Sequence, residues 1–329
     1  MKTFLKPLIY LDIKGIYCLS GNFWVDPYKP VKKALITHSH FDHIALGCDE
    51  YICSYETGRL LNQRIGPYIN IKTYHYEEIF YINGIKVSFH PSGHILGSSQ
   101  IRIEAGQETW LVTGDFKRQK DKTCVNYRKV KTDYLISEST FALPIFNWEP
   151  TRKIINQITH WTLESEDTTS ILFCYSLGKA QRILSELNNR KIKNIFTHKS
   201  INKMTDIYRS LGIDIFETQT FDKNINFEKY DNSLILLPPS LNNKKFLKRF
   251  KKVQTSFASG WMSIRALKKR SGYDKGFVIS DHADWNGLIK TIKDSQAKQV
   301  YLHHGDGENL KKYLSDTENI NISSLAKLV

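Results

Sequence analysis

Residues 37–43, which read T-H-S-H-F-D-H, constrain this chain more than any other part of its sequence. They follow the apolar residues 34–36, which predict a short strand that ends where the histidines begin. Imidazole nitrogens and carboxylate oxygens are ligands that zinc and similar divalent ions accept, and a loop lets alternate side chains converge. We therefore expect a metal site whose ligands include His38, His40, Asp42 and His43.

Two later segments supply further candidate ligands, and each also follows a predicted strand. His94 lies in P-S-G-H-I-L-G at residues 91–97, and Asp115 lies in T-G-D-F at residues 113–116. Each residue taken alone would be an ordinary loop or turn residue, but together with the first cluster they complete a ligand set. We expect Asp115 to bridge two ions.

These three segments, in this order, resemble the successive metal motifs of the metallo-beta-lactamase fold. Asp26, in W-V-D-P before the cluster, matches the first motif of that family, where an aspartate orients the ligating histidines. Alternating strand and helix signals along the chain independently predict an α/β protein. The resemblance makes the expected architecture more specific: an αββα sandwich.

Three further segments resemble motifs A, B and C of the beta-CASP nucleases, in which an α/β cap domain is inserted into that sandwich. They are S-E-S-T at residues 137–140, S-D-H-A-D at 280–284 and H-H-G-D at 303–306. Between motifs A and B the ligand-type residues thin out while strand and helix signals continue. The expected domains are residues 1–146, the first part of the metallo-beta-lactamase domain, 147–256, the beta-CASP insert, and 257–329, the C-terminal part of the first domain.

Motif C contains two adjacent histidines, and the expected ligand is His304. It stands directly before Gly305, as does a metal-binding histidine in RNA-processing members of the family, whereas strand alternation points His303 to the opposite face. The resemblance then implies one ion on His38, His40 and His94, and a second on Asp42, His43 and His304, with Asp115 between them.

The activity implied is hydrolysis of phosphodiester bonds by a hydroxide that two divalent ions activate. His282 in motif B would protonate the leaving sugar oxygen, and Glu138 in motif A would keep that imidazole charged and aimed. Asp42 and Asp115 complete the expected catalytic residues. The histidine-rich ligands favour zinc as the resident ion, with manganese as the alternative ion for turnover.

The resemblance is greatest to bacterial ligase-associated DNA exonucleases. It rests on F-W-V-D-P at residues 23–27, G-D-F-K-R-Q at 114–119, S-G-W-M at 259–262 and S-D-H-A-D-W at 280–285. It implies a DNA repair exonuclease that works alongside a DNA ligase and a helicase, related to the Artemis-type nucleases. The alternative that His304 supports is an RNA endonuclease or exonuclease of the mRNA 3′-end processing type. A small-molecule metallohydrolase and a non-catalytic nucleic-acid-binding module also remain open.

The balance of charge is consistent with a nucleic-acid substrate. The net charge is +14 and the pI is about 9.4, which could create a field that attracts a polyanion, although composition bias alone can make a chain basic. Residues 244–252 form a basic run interleaved with Phe246, Leu247 and Phe250, as either a solvated surface helix or a phosphate-contacting face would. The candidate contacts to the nucleic-acid backbone are Lys117, Arg118, Lys179, Lys244, Lys248 and Arg249.

The sequence argues against a membrane or secreted location. No uninterrupted apolar stretch approaches the ~20 residues of a membrane span, and residues 1–16 lack the apolar region and cleavage site of a signal peptide. The five cysteines are odd in number and form no C-x-x-C pair, which favours free thiols. We therefore expect a soluble, cytoplasmic protein.

Overall fold

The computed structural model describes residues 7–164, 167–187, 192–270, 272–318 and 320–328. The chain divides into two compact units. The first unit comprises Met1–Pro144 and His282–Val329, and the second comprises Ile145–Asp281. The second unit is therefore an insertion between two parts of the first. Elements are numbered in chain order.

The first unit begins with a six-stranded sheet whose strands lie in sequence order. The first three strands pair antiparallel, and the third to the sixth pair parallel. One helix connects the fifth strand to the sixth, and Ser54 caps it by accepting a hydrogen bond from the Thr57 amide. The elements are β1 (Ile9–Asp12), β2 (Gly15–Cys18), β3 (Phe23–Val25), β4 (Lys33–Leu35), β5 (Glu50–Ser54), α1 (Tyr55–Ile65) and β6 (Ile71–Tyr74).

The second sheet of this unit has seven strands in the order β19-β18-β11-β10-β9-β8-β7. Its pairings make β8, β10, β11 and β18 run in the same direction, so their carboxyl ends lie at the same edge. Its strands are β7 (Ile79–Ile82), β8 (Ile85–Pro91), β9 (Ser99–Ala105), β10 (Glu108–Val112), β11 (Tyr134–Glu138), β18 (Gln299–His303) and β19 (Ile322–Ser324), and its helices are α7 (Trp285–Ser295) and α8 (Glu308–Glu318).

Three apolar clusters show that the first unit is an αββα sandwich. One cluster joins the two sheets face to face, with Phe23 and Leu35 from the first and Phe89 from the second. A second cluster packs α7 and α8 against the other face of the second sheet, and a third covers the outer face of the first sheet. Alternation along each strand directs side chains to both faces, so both sheets are buried on two sides.

The second unit is built on a six-stranded sheet in which every pairing is parallel. The spatial order is β14-β13-β15-β12-β16-β17. Its strands are β12 (Thr169–Phe173), β13 (Ile195–Thr197), β14 (Gln219–Thr220), β15 (Leu234–Leu237), β16 (Val253–Ala258) and β17 (Lys275–Phe277), and its helices are α2 (Thr151–Leu163), α3 (Lys179–Leu187), α4 (Lys199–Ser210), α5 (Lys244–Leu247) and α6 (Arg265–Arg270).

The second unit ends later in the chain than the sequence predicts. Its expected boundary lies at residue 256, but β16 continues to Ala258 and β17 pairs with it in parallel. The ladder hydrogen bonds of these strands place residues 257–281 with the second unit, up to Asp281. Segments that resemble metal motifs do not mark where a sheet ends, so the sequence placed this boundary too early.

None of the five cysteines forms a disulfide in the structure. Burial raises the pKa of the Cys174 thiol to about 12, which keeps it protonated. None of the helices in the described residues is long and apolar enough to cross a bilayer.

Candidate active site

The predicted ligands lie at the carboxyl ends of strands of the first unit. The histidine-rich loop follows β4, the loop that carries His94 follows β8, and Asp115 follows β10. Ser98 Oγ fixes the second loop by accepting hydrogen bonds from the amides of His94 and Ile95. Gly114 has a φ of +53°, and a Cβ there would lie 2.6 Å from Thr37 Oγ1. Only glycine therefore lets the loop that carries Asp115 approach the histidine-rich loop this closely.

Four predicted ligands converge on one point. The Nε2 atoms of His38 and His94 each lie 3.1 Å from His40 Nδ1. Asp115 Oδ2 lies 3.6 Å from His38 Nε2 and 3.7 Å from His94 Nε2. Tetrahedral zinc with bonds of about 2 Å requires ligand atoms roughly 3.3 Å apart. The spacing and the donor set fit a divalent ion.

The protonation of this cluster also suits a cation. Burial, helped by the neighbouring His43 and His94, holds the pKa of His38 well below its ordinary value, so the imidazole is neutral. Burial alone would raise the pKa of Asp115, but the imidazoles of His43 and His282 outweigh it and hold that pKa well below the usual range. Neutral imidazoles and an ionised carboxylate are the ligand forms that a metal needs.

His43 also approaches Asp115, with 3.5 Å between His43 Nε2 and Asp115 Oδ2. Asp26 accepts a hydrogen bond from the His43 ring at Nδ1, at 2.7 Å, and also bonds the amide and hydroxyl of Thr37. A carboxylate so placed fixes the ring and turns Nε2 toward Asp115. The Asp42 carboxylate approaches the same nitrogen at 4.0 Å, and its side chain is 73% exposed.

His43 Nε2 is buried and makes no hydrogen bond within the described part of the chain. Burial opposes charge on this ring, but Asp115 and Asp26 overcome that effect and raise the pKa of His43 well above its ordinary value. The two carboxylates thus favour a positive charge between them. A divalent ion would supply that charge in place of the proton.

The two histidines of motif C lie close together, with ring centroids 4.0 Å apart. The His304 ring stacks on His43 at 4.7 Å, whereas His303 Nε2 is within hydrogen-bond distance of the Tyr28 hydroxyl, at 3.0 Å. The expected alternation of faces was wrong, because β18 ends at His303 and His304 adopts a left-handed φ of +50°. Burial, then the neighbouring His304, lowers the pKa of His303 to about 3.

A second cluster adjoins the first and comprises Asp115, Glu138 and His282. Glu138 is buried; its Oε1 accepts the Phe116 amide at 2.7 Å, and its Oε2 lies 2.9 Å from His282 Nδ1. An ionised carboxylate only accepts hydrogen bonds, so it holds the proton on Nδ1. Nε2 of the same ring then lies 3.8 Å from Asp115 Oδ2.

Among the predicted nucleic-acid contacts, two lysines lie in the interior. Lys117 is buried and bonds Asp121 at 2.6 Å, and Lys179 is buried and bonds Asp281 at 2.8 Å. A buried ammonium is stable only with such partners, so neither lysine is presented to a nucleic-acid strand as expected. Arg118 is partly buried and bonds Asp294 at 2.8 Å. Exposed basic side chains remain at Lys244, Lys248 and Arg249.

Sequence reasoning missed several residues that support the ligands. Thr37 connects Asp26 to His38, and Tyr28 engages His303. The main chain of His304 is held by Ser139 and Thr140 at the end of β11. Thr37 could have been found because it adjoins the histidines, whereas Tyr28 carries no local signal.

Comparison with known proteins gives relatives of several kinds, although no family model matches the chain. A probable DNA ligase from Opitutus terrae is 28% identical over 89% of this chain and 29% of its own length. An RNase J-like protein from Methanocaldococcus jannaschii is 28% identical over 84% of this chain and 82% of its own length. Endoribonuclease YSH1 from Eremothecium gossypii is 27% identical over 52% of this chain and 26% of its own length. The chain thus spans less than a third of the ligase and of the endoribonuclease.

A solved structure shares the fold. It is a protein of unknown function from Enterococcus faecalis, with a TM-score of 0.58 and 13% identity, over 88% of this chain and 78% of that one. The sandwich, the order of its metal motifs and the relatives all agree with the class that the sequence resembles, the metallo-beta-lactamase superfamily with a beta-CASP insert. Within that class, it is similar over most of its length both to a segment of a DNA ligase protein and to an RNase J-like protein.

Proposed function

We propose that this chain is a metal-dependent nuclease, and specifically a DNA exonuclease that acts in repair alongside a DNA ligase and a helicase. The observation that carries the hydrolytic reaction is the pairing of Glu138 with His282 beside the histidine cluster. A cluster of metal ligands alone could serve many reactions of this fold. The His282 imidazole, which Glu138 holds beside that cluster, adds a proton donor for the leaving group.

The residues present would hold two divalent ions. His38, His40, His94 and Asp115 would bind the first, and Asp42, His43 and His304 would bind the second together with Asp115. When bound, such ions make hydroxide available near neutral pH and offset charge that develops on the phosphoryl oxygens. The imidazole-rich set favours zinc as the resident ion, and manganese is the alternative for turnover.

His282 completes the reaction from the protein side. The Glu138 carboxylate holds Nδ1–H and stabilises the charged imidazolium, so Nε2 carries the proton that the leaving sugar oxygen needs. Phe116 fixes Glu138 in turn, so the carboxylate does not swing away when His282 gives up its proton. Proton delivery to the leaving 3′ oxygen gives a 3′-hydroxyl and a 5′-phosphate.

DNA is favoured as the substrate because the similarity to the ligase protein extends over 89% of this chain. A nuclease segment within a ligase protein would prepare ends for joining, since ligases seal 5′-phosphate to 3′-hydroxyl ends. The second candidate is RNA, which is supported by the RNase J-like relative and by the endoribonuclease relative. The stacking of His304 on His43 is compatible with either substrate.

The test is digestion of matched single-stranded DNA and RNA, labelled at the 5′ or the 3′ end, with zinc or manganese added. The Asp115→Ala protein serves as the blank, because Asp115 approaches four imidazoles of the site. Stepwise release of DNA mononucleotides by the wild type alone supports the proposal and gives the direction of digestion. Internal cuts in RNA with intact DNA would move the chain to RNA processing, and cleavage of neither would contradict nuclease function.

A further inference from the structure

The parallel sheet of the second unit has a topological switch at β12. The chain leaves β12 toward β13 and β14 on one side, and leaves β16 toward β17 on the other. Because parallel crossovers are right-handed, the connections after β12 and β16 run to opposite faces of the sheet. In open α/β sheets, such a point leaves a crevice beyond the carboxyl ends of the strands, where ligands bind.

Two exposed aromatic side chains lie beyond the carboxyl ends of these neighbouring strands. Tyr175 follows β12 and is 55% exposed, and Trp261 follows β16 and is 39% exposed. The backbone of each is held in an ordered turn: Ala180 donates to the Tyr175 carbonyl, and Ser259 Oγ accepts the Trp261 amide. Phe146 also lies edge-on to the Trp261 ring at 5.6 Å. Because the backbone of each residue is already ordered, little backbone entropy is lost when a flat ligand stacks on the rings.

The segments that leave the four central strands of the sheet carry only basic charged side chains near the carboxyl edge. Of these, Lys179 is buried against Asp281, and the connections after the outer strands β14 and β17 contain Asp222, Glu228, Asp231 and Asp281. Residues 174–180, 198–203, 238–250 and 259–270, which follow β12, β13, β15 and β16, contain no Asp or Glu. They contain the exposed Lys199 and Arg265 and most of the basic residues of α5 and α6. A polyanion is therefore the ligand that complements the edge at the four central strands.

We propose that the carboxyl edge of the second unit's sheet is a binding surface for single-stranded nucleic acid, on which Tyr175 and Trp261 stack bases. The exposed basic side chains of the connections after β13, β15 and β16 contact the phosphates. Stacking on aromatic rings and contacts to the backbone are independent of sequence, because every base has a π-face and every nucleotide a phosphate. This surface rests on the proposed nuclease function and names the part of the second unit that would hold the strand.

The test is binding of the full-length chain to a fluorescent single-stranded oligonucleotide, measured by anisotropy with EDTA present so that nothing is cleaved. Tyr175→Ala and Trp261→Ala should each weaken binding by about 5-fold or more, as expected for loss of a base–aromatic stack. Tyr175→Phe and Trp261→Phe keep a ring and should restore most of the affinity. Tyr68→Ala, at a tyrosine of the first unit that is 99% exposed, is the matched control and should change nothing.

A strand of the same length without bases separates stacking from other effects. It keeps the phosphates, so the wild type and both alanine variants should bind it equally. The proposal is overturned if the alanine variants bind the normal strand as the wild type does, if their affinity for the strand without bases falls equally, or if the wild type binds no oligonucleotide.

Hydrolysis of bis(p-nitrophenyl) phosphate, measured in parallel with metal added, tests the nuclease function separately, because this small diester has no base. The alanine variants should retain that activity. If the wild type hydrolyses no diester but base-dependent binding is abolished in the variants, then the proposed nuclease function fails while the binding surface stands.

Discussion

The two units of this chain carry different parts of its chemistry. The first unit contains 24 Lys and Arg against 20 Asp and Glu, while the smaller second unit contains 23 against 13. The second unit thus supplies ten of the fourteen net positive charges, and the first supplies four. All the predicted metal ligands lie in the first unit, and four of them, His38, His43, His94 and Asp115, are buried.

This difference teaches that the reaction and the attraction of a polyanion are separable. Buried groups such as Asp115 act at short range, where salt has little effect. Exposed basic side chains of the second unit act through a field that salt screens within ~10 Å. Loss of a metal ligand of the first unit should therefore abolish hydrolysis of any diester, and loss of exposed basic residues of the second unit should affect only nucleic acid.

The largest expected effect is that of His94→Ala. Its Nε2 is one of the converging donors, so its removal should lower the bound metal and reduce hydrolysis of bis(p-nitrophenyl) phosphate at least ~10³-fold. Metal is measured by mass spectrometry after gel filtration. The control is His90→Ala on β8, a histidine that bonds Ser88 outside the cluster. Equal metal content and activity in the two variants would contradict the ligand assignment.

His282→Asn should be next in size and more selective. Without the proton donor, cleavage of an oligonucleotide should slow by ~10²- to 10⁴-fold. Hydrolysis of bis(p-nitrophenyl) phosphate should change little, because p-nitrophenolate leaves without a proton. His160→Asn, at an exposed histidine of the second unit, is the control. A His282→Asn protein that loses metal, or that loses both activities equally, would show a structural role instead.

Asp26→Asn should have a smaller effect, because Asp26 acts through His43 and Thr37. An amide cannot accept all three hydrogen bonds that this carboxylate accepts, so His43 should lose its fixed orientation. Metal affinity should fall about 10- to 100-fold, as measured by competition with a chromophoric chelator. An affinity equal to that of the wild type would remove Asp26 from the metal site.

The smallest effect is expected from the basic run of the second unit. Replacement of Lys244 and Lys248 by Gln should weaken binding of single-stranded DNA a few-fold, and should lower the slope of log affinity against log salt by ~0.7 for each phosphate that is no longer neutralised. Hydrolysis of the small diester should be unchanged. An unchanged salt slope would identify α5 as an ordinary solvated helix.

The residues predicted as ligands from local spacing were the easiest part of the site to anticipate. His38 and His40 occupy one loop, and the structure brings His94 and Asp115 to them from two other strands. The α/β class and the insertion of a second unit also followed from motif order and from alternating strand and helix signals. Each of these features can be predicted from short stretches of sequence.

Features that depend on burial and on backbone conformation could not be predicted in the same way. Lys117 is basic in sequence, but only the fold shows that Asp121 neutralises it in the interior. The faces of His303 and His304 depend on one left-handed residue at the end of β18. The boundary at Asp281 depends on a strand pairing between distant segments.

Anomalous diffraction from crystals of the wild-type protein, soaked with zinc or with manganese, tests the central claim most directly. We predict one peak among His38, His40, His94 and Asp115, and a second beside Asp42, His43 and His304. Data collected above and below each absorption edge identify the ion at each position. No peak at either position, with both metals in excess, would contradict a metal-dependent active site in the first unit.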